Sequence, residues 1–177
     1  VENYLSLDTG LLVEYTDGFV RVLPMPNPLH QWIVKTILRL LDGYISDRQL
    51  GEVFCAPLPV KLTETKYREP DIVFVSPERL PSLKGQPAGA DLVVEVVSDG
   101  REARDRDYID KRAEYAAAGI AEYWIVDPAQ RIITVLLLEG KIYQEHGLFR
   151  QGDIATSALL EGFSVPTQEV FARCDPT

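Results

Sequence analysis

Three short runs constrain this chain more than anything else in it. Asp71–Val75 (DIVFV), Asp91–Val97 (DLVVEVV) and Glu122–Asp127 (EYWIVD) are rich in β-branched residues and almost unbrokenly apolar. A strand that is apolar at every position, rather than at every second one, is buried on both faces. The sheet they build must therefore be covered on each side, and two segments are suited to cover it. Asn27 and Pro28 supply an N-cap and a first-turn proline ahead of Trp32, Ile33, Ile37, Leu40, Leu41 and Tyr44, which recur at helical spacing. This predicts a core-packing helix of about five turns. Asp99, with Glu102 three residues on, reads as a capping box for a second helix that runs to Ala118 and stops at Gly119.

The remaining segments complete an α/β pattern. Leu11–Tyr15 and Phe19–Leu23 flank Thr16, Asp17 and Gly18, a hairpin signal. Val53–Leu62 carries Pro57 and Pro59, which suits an extended edge strand or one carrying bulges. Ser76–Gly89 is a Pro-, Ser- and Gly-rich loop with a helical turn around Pro77–Leu80. Arg131–Leu138 and Lys141–Glu145 form a hairpin turning at Glu139 and Gly140, and the sequence after Gly147 is less regular. The order hairpin, α, β, β, β, α, β, hairpin predicts a mixed β-sheet flanked by helices, with N-terminal and C-terminal β-hairpins. The length of 177 residues suits one domain spanning 1–177.

Composition removes several function classes. With 46% hydrophobic and 25% charged residues the chain is neither disordered nor membrane-embedded. Val1–Leu12 lacks the features of a signal peptide, and no apolar run approaches about 18 residues, so a cytoplasmic protein with no membrane partner is expected. Cys55 and Cys174 are the sole cysteines, which excludes a disulfide framework or a CxxC zinc site and fits a reducing compartment. Cys55 reads as a small buried apolar residue and Cys174 as part of the irregular tail. Eighteen basic against 27 acidic residues leave a net charge of −9, so any contact with nucleic acid needs a local concentration of positive charge.

Glu95 is the informative exception inside the apolar runs, the single polar side chain between Leu92 and Val97. An unpaired buried carboxylate costs several kcal/mol, so this one is protonated, paired with a cation or bound to a metal. Asp71 opens the preceding run behind Glu69 and Pro70, and adjacent strands bring these acids to one end of the sheet. Like charges at close range stay ionised when a cation lies between them, and hard oxygen ligands favour Mg²⁺ or Mn²⁺. The second helix, REARDRDYIDKRAEY, is mostly a solvated charged face, yet Tyr108, Lys111 and Tyr115 share a stripe and Asp107 lies four before Lys111. A lysine on that stripe faces the sheet and reaches the carboxyl end of the Glu95 strand. Two plainer readings stand beside this one: an exposed Asp107–Lys111 pair, and an arginine salt bridge for Glu95.

These residues together carry a resemblance. EPDIVFVSPERL, ADLVVEVVS, DYIDKRAEYAAAG and EYWIVDP, with NPLHQWIV opening the first helix, resemble the Uma family of restriction-endonuclease-like proteins, part of the PD-(D/E)xK nuclease superfamily. The resemblance implies a restriction-endonuclease-like fold and metal-assisted hydrolysis of DNA. It implies Asp71 and Glu95 as the catalytic and metal-holding acids, helped by a backbone carbonyl near Val96. The superfamily lysine is missing at Val97, and within this family it lies on the following helix, at Lys111. Glu69, His30, Asp107 and Gln31 are second-rank candidates. Arg101, Arg104, Arg106 and Arg112 are placed to contact phosphates. Duplex cleavage wants two centres, so a homodimer or higher homo-oligomer is expected. A non-catalytic binding module on the same fold, and a purely structural Glu95–Lys111 pair, are the competing readings.

Overall fold

The computed structural model describes Tyr4 and residues 13–23, 25–80, 82–84 and 86–174. The start of the expected first strand, Leu11 and Leu12, the leader reading of 1–12 apart from Tyr4, and Pro81 and Gly85 of the long loop lie outside the described residues.

Strands β1 (Val13–Thr16) and β2 (Phe19–Val22) form the N-terminal hairpin. Its turn places Asp17 at φ 48 and Gly18 at φ 93, both left-handed, as a tight hairpin turn whose twist matches its strands requires. Helix α1 (Pro28–Arg48) begins as the sequence predicts: the Asn27 side chain accepts from the His30 backbone N–H at 2.8 Å. The Val53–Leu62 expectation is corrected. The chain forms β3 (Glu52–Cys55), breaks at Ala56–Pro59, and re-enters a different sheet as β4 (Val60–Thr63), since prolines 57 and 59 supply no N–H for a continuous ladder. Strands β5 (Lys66–Arg68), β6 (Ile72–Val75) and β7 (Leu92–Val96) follow, with a turn after Ser76 in which Arg79 and Leu80 N–H groups donate to the Ser76 carbonyl.

The second helix departs from its expected start and from regular winding. Helix α2 (Arg101–Asp105) takes Gly100 as its N-cap, with no side-chain cap, so Asp99 does not form the capping box. Residues Arg106–Asp110 form a π-helical turn in which the Lys111 N–H donates to the Arg106 carbonyl, and α3 (Lys111–Ala117) resumes. Gly119, at φ 73, ends it as expected. Then come β8 (Glu122–Asp127), β9 (Ile132–Glu139) and β10 (Ile142–Arg150). The segment after Gly147 is more ordered than its sequence suggests. It extends β10 and adds β11 (Ile154–Thr156), β12 (Ser164–Pro166) and the short α4 (Thr167–Val170), elements too short to show a periodicity.

The main sheet has six strands in the order β10-β9-β8-β7-β6-β3, antiparallel except for the β7–β8 pair, which is parallel across the α2–α3 crossover. A second sheet, β2-β1-β5-β4, carries the N-terminal hairpin. Every residue of β6, β7 and β8 is buried, as continuous apolar runs demand. On one face Ile33, Ile37 and Leu41 of α1 pack against Ile72, Leu92, Val94 and Trp124, with Phe163 and Phe171 closing the layer. On the other, Tyr115 and Ala116 of α3 pack against Val73, Val93, Tyr123 and Ile125. Cysteine readings are corrected here: Cys55 ends an edge strand and is exposed, while Cys174 is placed and packs on the α1 core. No described helix is long and apolar enough to cross a membrane.

Candidate functional site

Pairing of β6 with β7 places Ile72 opposite Val94 and Val73 opposite Val93. The pairing ends there, and Asp71 lies one residue beyond it at the same end of the sheet as Glu95, whose carboxylate meets Lys111 and Tyr115 of α3. Asp71 Oδ2 accepts from the Val96 backbone N–H at 2.7 Å and lies 3.3 Å from His30 Nε2. His30 stands in the first turn of α1, where the Asn27 cap fixes the backbone. Burial depresses the imidazole, yet the bond to and charge of Asp71 override this and leave it above its ordinary value.

Glu95 and Lys111 are each 3% exposed. Lys111 Nζ lies 2.8 Å from Glu95 Oε1, 3.3 Å from Glu14 Oε1 and 3.6 Å from Asp107 Oδ1. Tyr115 donates its hydroxyl to the same Glu95 oxygen at 2.5 Å. The Tyr108–Lys111–Tyr115 stripe thus does face the sheet, and the plainer reading of an exposed Asp107–Lys111 pair does not hold. The π-helical turn contributes to this geometry. It brings the Asp107 carbonyl to the Tyr123 hydroxyl, which donates to it at 2.9 Å.

Burial raises Glu95 to about 8, with the Asp71 and Asp107 charges adding to the rise and Lys111 opposing it. Burial alone would depress Lys111; the Glu95, Glu14 and Asp107 carboxylates around it override burial and hold it above its ordinary value. Asp107 is raised, chiefly by burial, against the pull of Lys111 and Arg106. Three carboxylates surround one ammonium, and Lys111 is a cation.

Other candidates scatter. Glu69 is buried and accepts from the Tyr4 hydroxyl at 3.3 Å, while its second oxygen has no partner among the described residues. Burial raises its carboxyl. Gln31 is exposed on the solvent side of α1. Arg101 is exposed and 3.5 Å from Asp105; Arg104 pairs with Asp127 and lies over the Tyr108 ring; Arg106 is 3.4 Å from Asp107. Arg112 donates to the Tyr143 carbonyl at 3.0 Å. His146, without a visible partner in the sequence, lies 3.1 Å from the Thr156 hydroxyl.

Sequence reasoning missed Glu14 and the polar half of Tyr115's role. Glu14 is a lone acid in LLVEY, the same signal that marked Glu95, and it is fully buried against Lys111. It comes from the second sheet, held there by Arg68, which lies 3.7 Å from Glu14 and donates to Glu114 at 2.8 Å through both Nε and Nη2.

Could this site hold a metal ion? Among the described residues no group of three or more His, Cys, Asp or Glu side chains is disposed to do so. The donor set is nevertheless all oxygen, two carboxylates and the Val96 carbonyl, and Mg²⁺ ordinarily keeps several waters and takes one or two carboxylates. His30 Nε2 lies 3.3 Å from Asp71 Oδ2 and Lys111 Nζ 2.8 Å from Glu95 Oε1, so both acids attract positive charge. The residues present fit such an ion.

A family model described as "Uma2: Putative restriction endonuclease" matches residues 1–168. A crystal structure described as "a putative nuclease belonging to DUF820", from Anabaena variabilis, shares the fold. Its TM-score is 0.77 at 18% identity, over 98% of this chain and 97% of that one. A search of curated proteins finds no match.

Proposed function

Because the chain belongs to the Uma2 family and has the restriction-endonuclease-like fold, we propose that it is a nuclease hydrolysing DNA phosphodiester bonds with Mg²⁺ or Mn²⁺. One observation carries the reading: Asp71 Oδ2 accepts from the Val96 N–H beside Glu95 at 2.7 Å, and Lys111 Nζ is 2.8 Å from Glu95. Asp71 and Glu95, with the Val96 carbonyl, would hold the ion, which when bound supplies Lewis acidity at a phosphate oxygen. The chain's own residues do the rest. Lys111, held protonated by three carboxylates, orients the attacking water and offsets charge that builds on phosphorus oxygens as one P–O ester bond breaks. It acts as an ammonium, not as the base that removes the water's proton. Tyr115 fixes the Glu95 oxygen that Lys111 touches, and Asp107 and Glu14 keep the lysine from turning away. His30 holds Asp71 in place from α1.

Supercoiled plasmid and a labelled oligonucleotide test this directly. Cleavage requiring Mg²⁺ or Mn²⁺, and lost in Asp71→Asn and Lys111→Ala, is the expected result. Retention of DNA in EDTA with no turnover in either metal would establish the binding-module reading instead.

A further inference from the structure

The hairpin that delivers Glu14 also bounds a groove of about 690 Å³ running from the surface to Lys111. Its wall opposite α3 follows from strand register: Glu14 pairs with Arg21 and Thr16 with Phe19, so these four side chains share one face of the hairpin. Glu14 touches Lys111, and Thr16 accepts from Arg68 at 2.7 Å, so the face is turned toward the site. Its outer members are different. Phe19 is 79% exposed, a large aromatic ring uncovered by the described residues, and Arg21 is exposed and unpaired among them. Arg106 closes the far side from the π-helical turn.

We propose that this groove seats an unpaired DNA strand, with a base stacked on Phe19 and a phosphate held between Arg21 and Arg106. The proposal rests on the nuclease reading and deepens it by naming the substrate class. An exposed aromatic beside arginine side chains is how sequence-tolerant single-strand sites are built, since every unstacked base offers a flat face. Stacked bases inside a duplex offer none. The depth of the site points the same way, because Glu95 and Lys111 are each 3% exposed and a backbone must enter a cleft to reach them. A cavity of this size holds a ligand of a few tens of atoms. A net charge of −9 disfavours a wide duplex footprint, whereas the groove lining carries four cations, Arg21, Arg68, Arg106 and Lys111, against three acids, Glu14, Asp110 and Glu114. A single strand also needs one centre per cut, so activity on it requires no second subunit.

Fluorescence anisotropy in EDTA tests the groove without turnover, using the full chain, a labelled 12-nucleotide single strand and the same strand annealed. The parent protein is expected to bind the single strand at least tenfold more tightly than the duplex or the matching RNA. Phe19→Ala should weaken single-strand binding about tenfold while Phe19→Trp retains it. Arg21→Ala should weaken it about threefold and reduce the salt dependence by about 0.7 in log–log slope. Both residues are exposed, so unchanged melting temperatures serve as the folding control. Equal affinity for duplex, preference for RNA, or indifference to Phe19→Ala would overturn the proposal. Should Phe19→Ala leave binding and cleavage untouched while Lys111→Ala abolishes cleavage, the groove fails and the nuclease reading stands. Phe19-dependent binding by a parent that cleaves nothing would keep the groove and remove the nuclease reading.

Discussion

Two acids lie buried on the neighbouring strands β7 and β8, and they are satisfied in opposite ways. Glu122 is fully buried and accepts from four neutral donors, the Trp124 indole, the Ser157 hydroxyl and the Ala158 and Leu159 backbone N–H groups, at 2.7–2.8 Å. Glu95 takes a lysine and a phenol on one oxygen, and that lysine is shared with two further acids, Glu14 and Asp107. The first arrangement anchors the loop before β12 and leaves the carboxylate nothing further to do. The second gathers charge of both signs at one end of a sheet, where it needs a cation to be at ease. A buried acid is therefore not in itself a sign of chemistry; the identity of its partners is.

Paired substitutions separate the two roles most sharply in activity. Glu95→Gln keeps shape and removes charge, and nuclease turnover should fall about a thousandfold. Glu122→Gln should leave turnover within about threefold of the parent. Equal losses measured on one oligonucleotide substrate would erase the distinction. Stability should rank them the other way. Glu122→Ala strands four donors in the interior and should cost about 4 kcal/mol, lowering the melting temperature by about 10 °C. Glu95→Gln should stay within about 1 kcal/mol, because Lys111 retains Glu14 and Asp107.

Lys111→Met probes the crowded side alone. It leaves Glu95, Glu14 and Asp107 near one another without a counter-charge, and a loss of about 3 kcal/mol in chemical denaturation is expected. A variant as stable as the parent would mean that these acids are already neutral.

Much of this was legible in the sequence because burial on both faces leaves a plain signature. The runs ending in Val75, Val97 and Asp127 became the three central strands, and the lone Glu95 flagged the site. Asn27 marked the helix whose first turn carries His30. What was not legible depends on contacts between distant segments. Glu14 reaches Lys111 from 97 positions earlier, through a second sheet that no local pattern announces. The π-helical turn falls in RDYID, with no glycine or proline to betray it, and tertiary contacts such as Tyr123 on the Asp107 carbonyl decide it. Glu122 looked like the first residue of a strand, since its four donors come from itself plus two and from a loop about 36 residues on.

The smallest effect concerns the network that holds the hairpin to α3. Burial would raise Glu114, but hydrogen bonds from Arg68 and Lys66, and their charges, lower it below the ordinary carboxylate value. Its folded value lies below its unfolded one, so its contribution to stability is complete above the unfolded value of about 4.3. That contribution is lost as pH falls through the folded value. Replacing Glu114 with Gln should therefore cost about 1 kcal/mol at pH 7 and progressively less as pH falls through the folded value, flattening the acid limb of a denaturation series. The same substitution loosens Arg68, which also lies 3.7 Å from Glu14, so the hairpin would be less firmly held against Lys111. Turnover in Glu114→Gln should then drop a few-fold at pH 7 while Glu122→Gln leaves it unchanged. A Glu114 variant with parental turnover and the parental acid limb would show that the hairpin is held to the site by Glu14 alone.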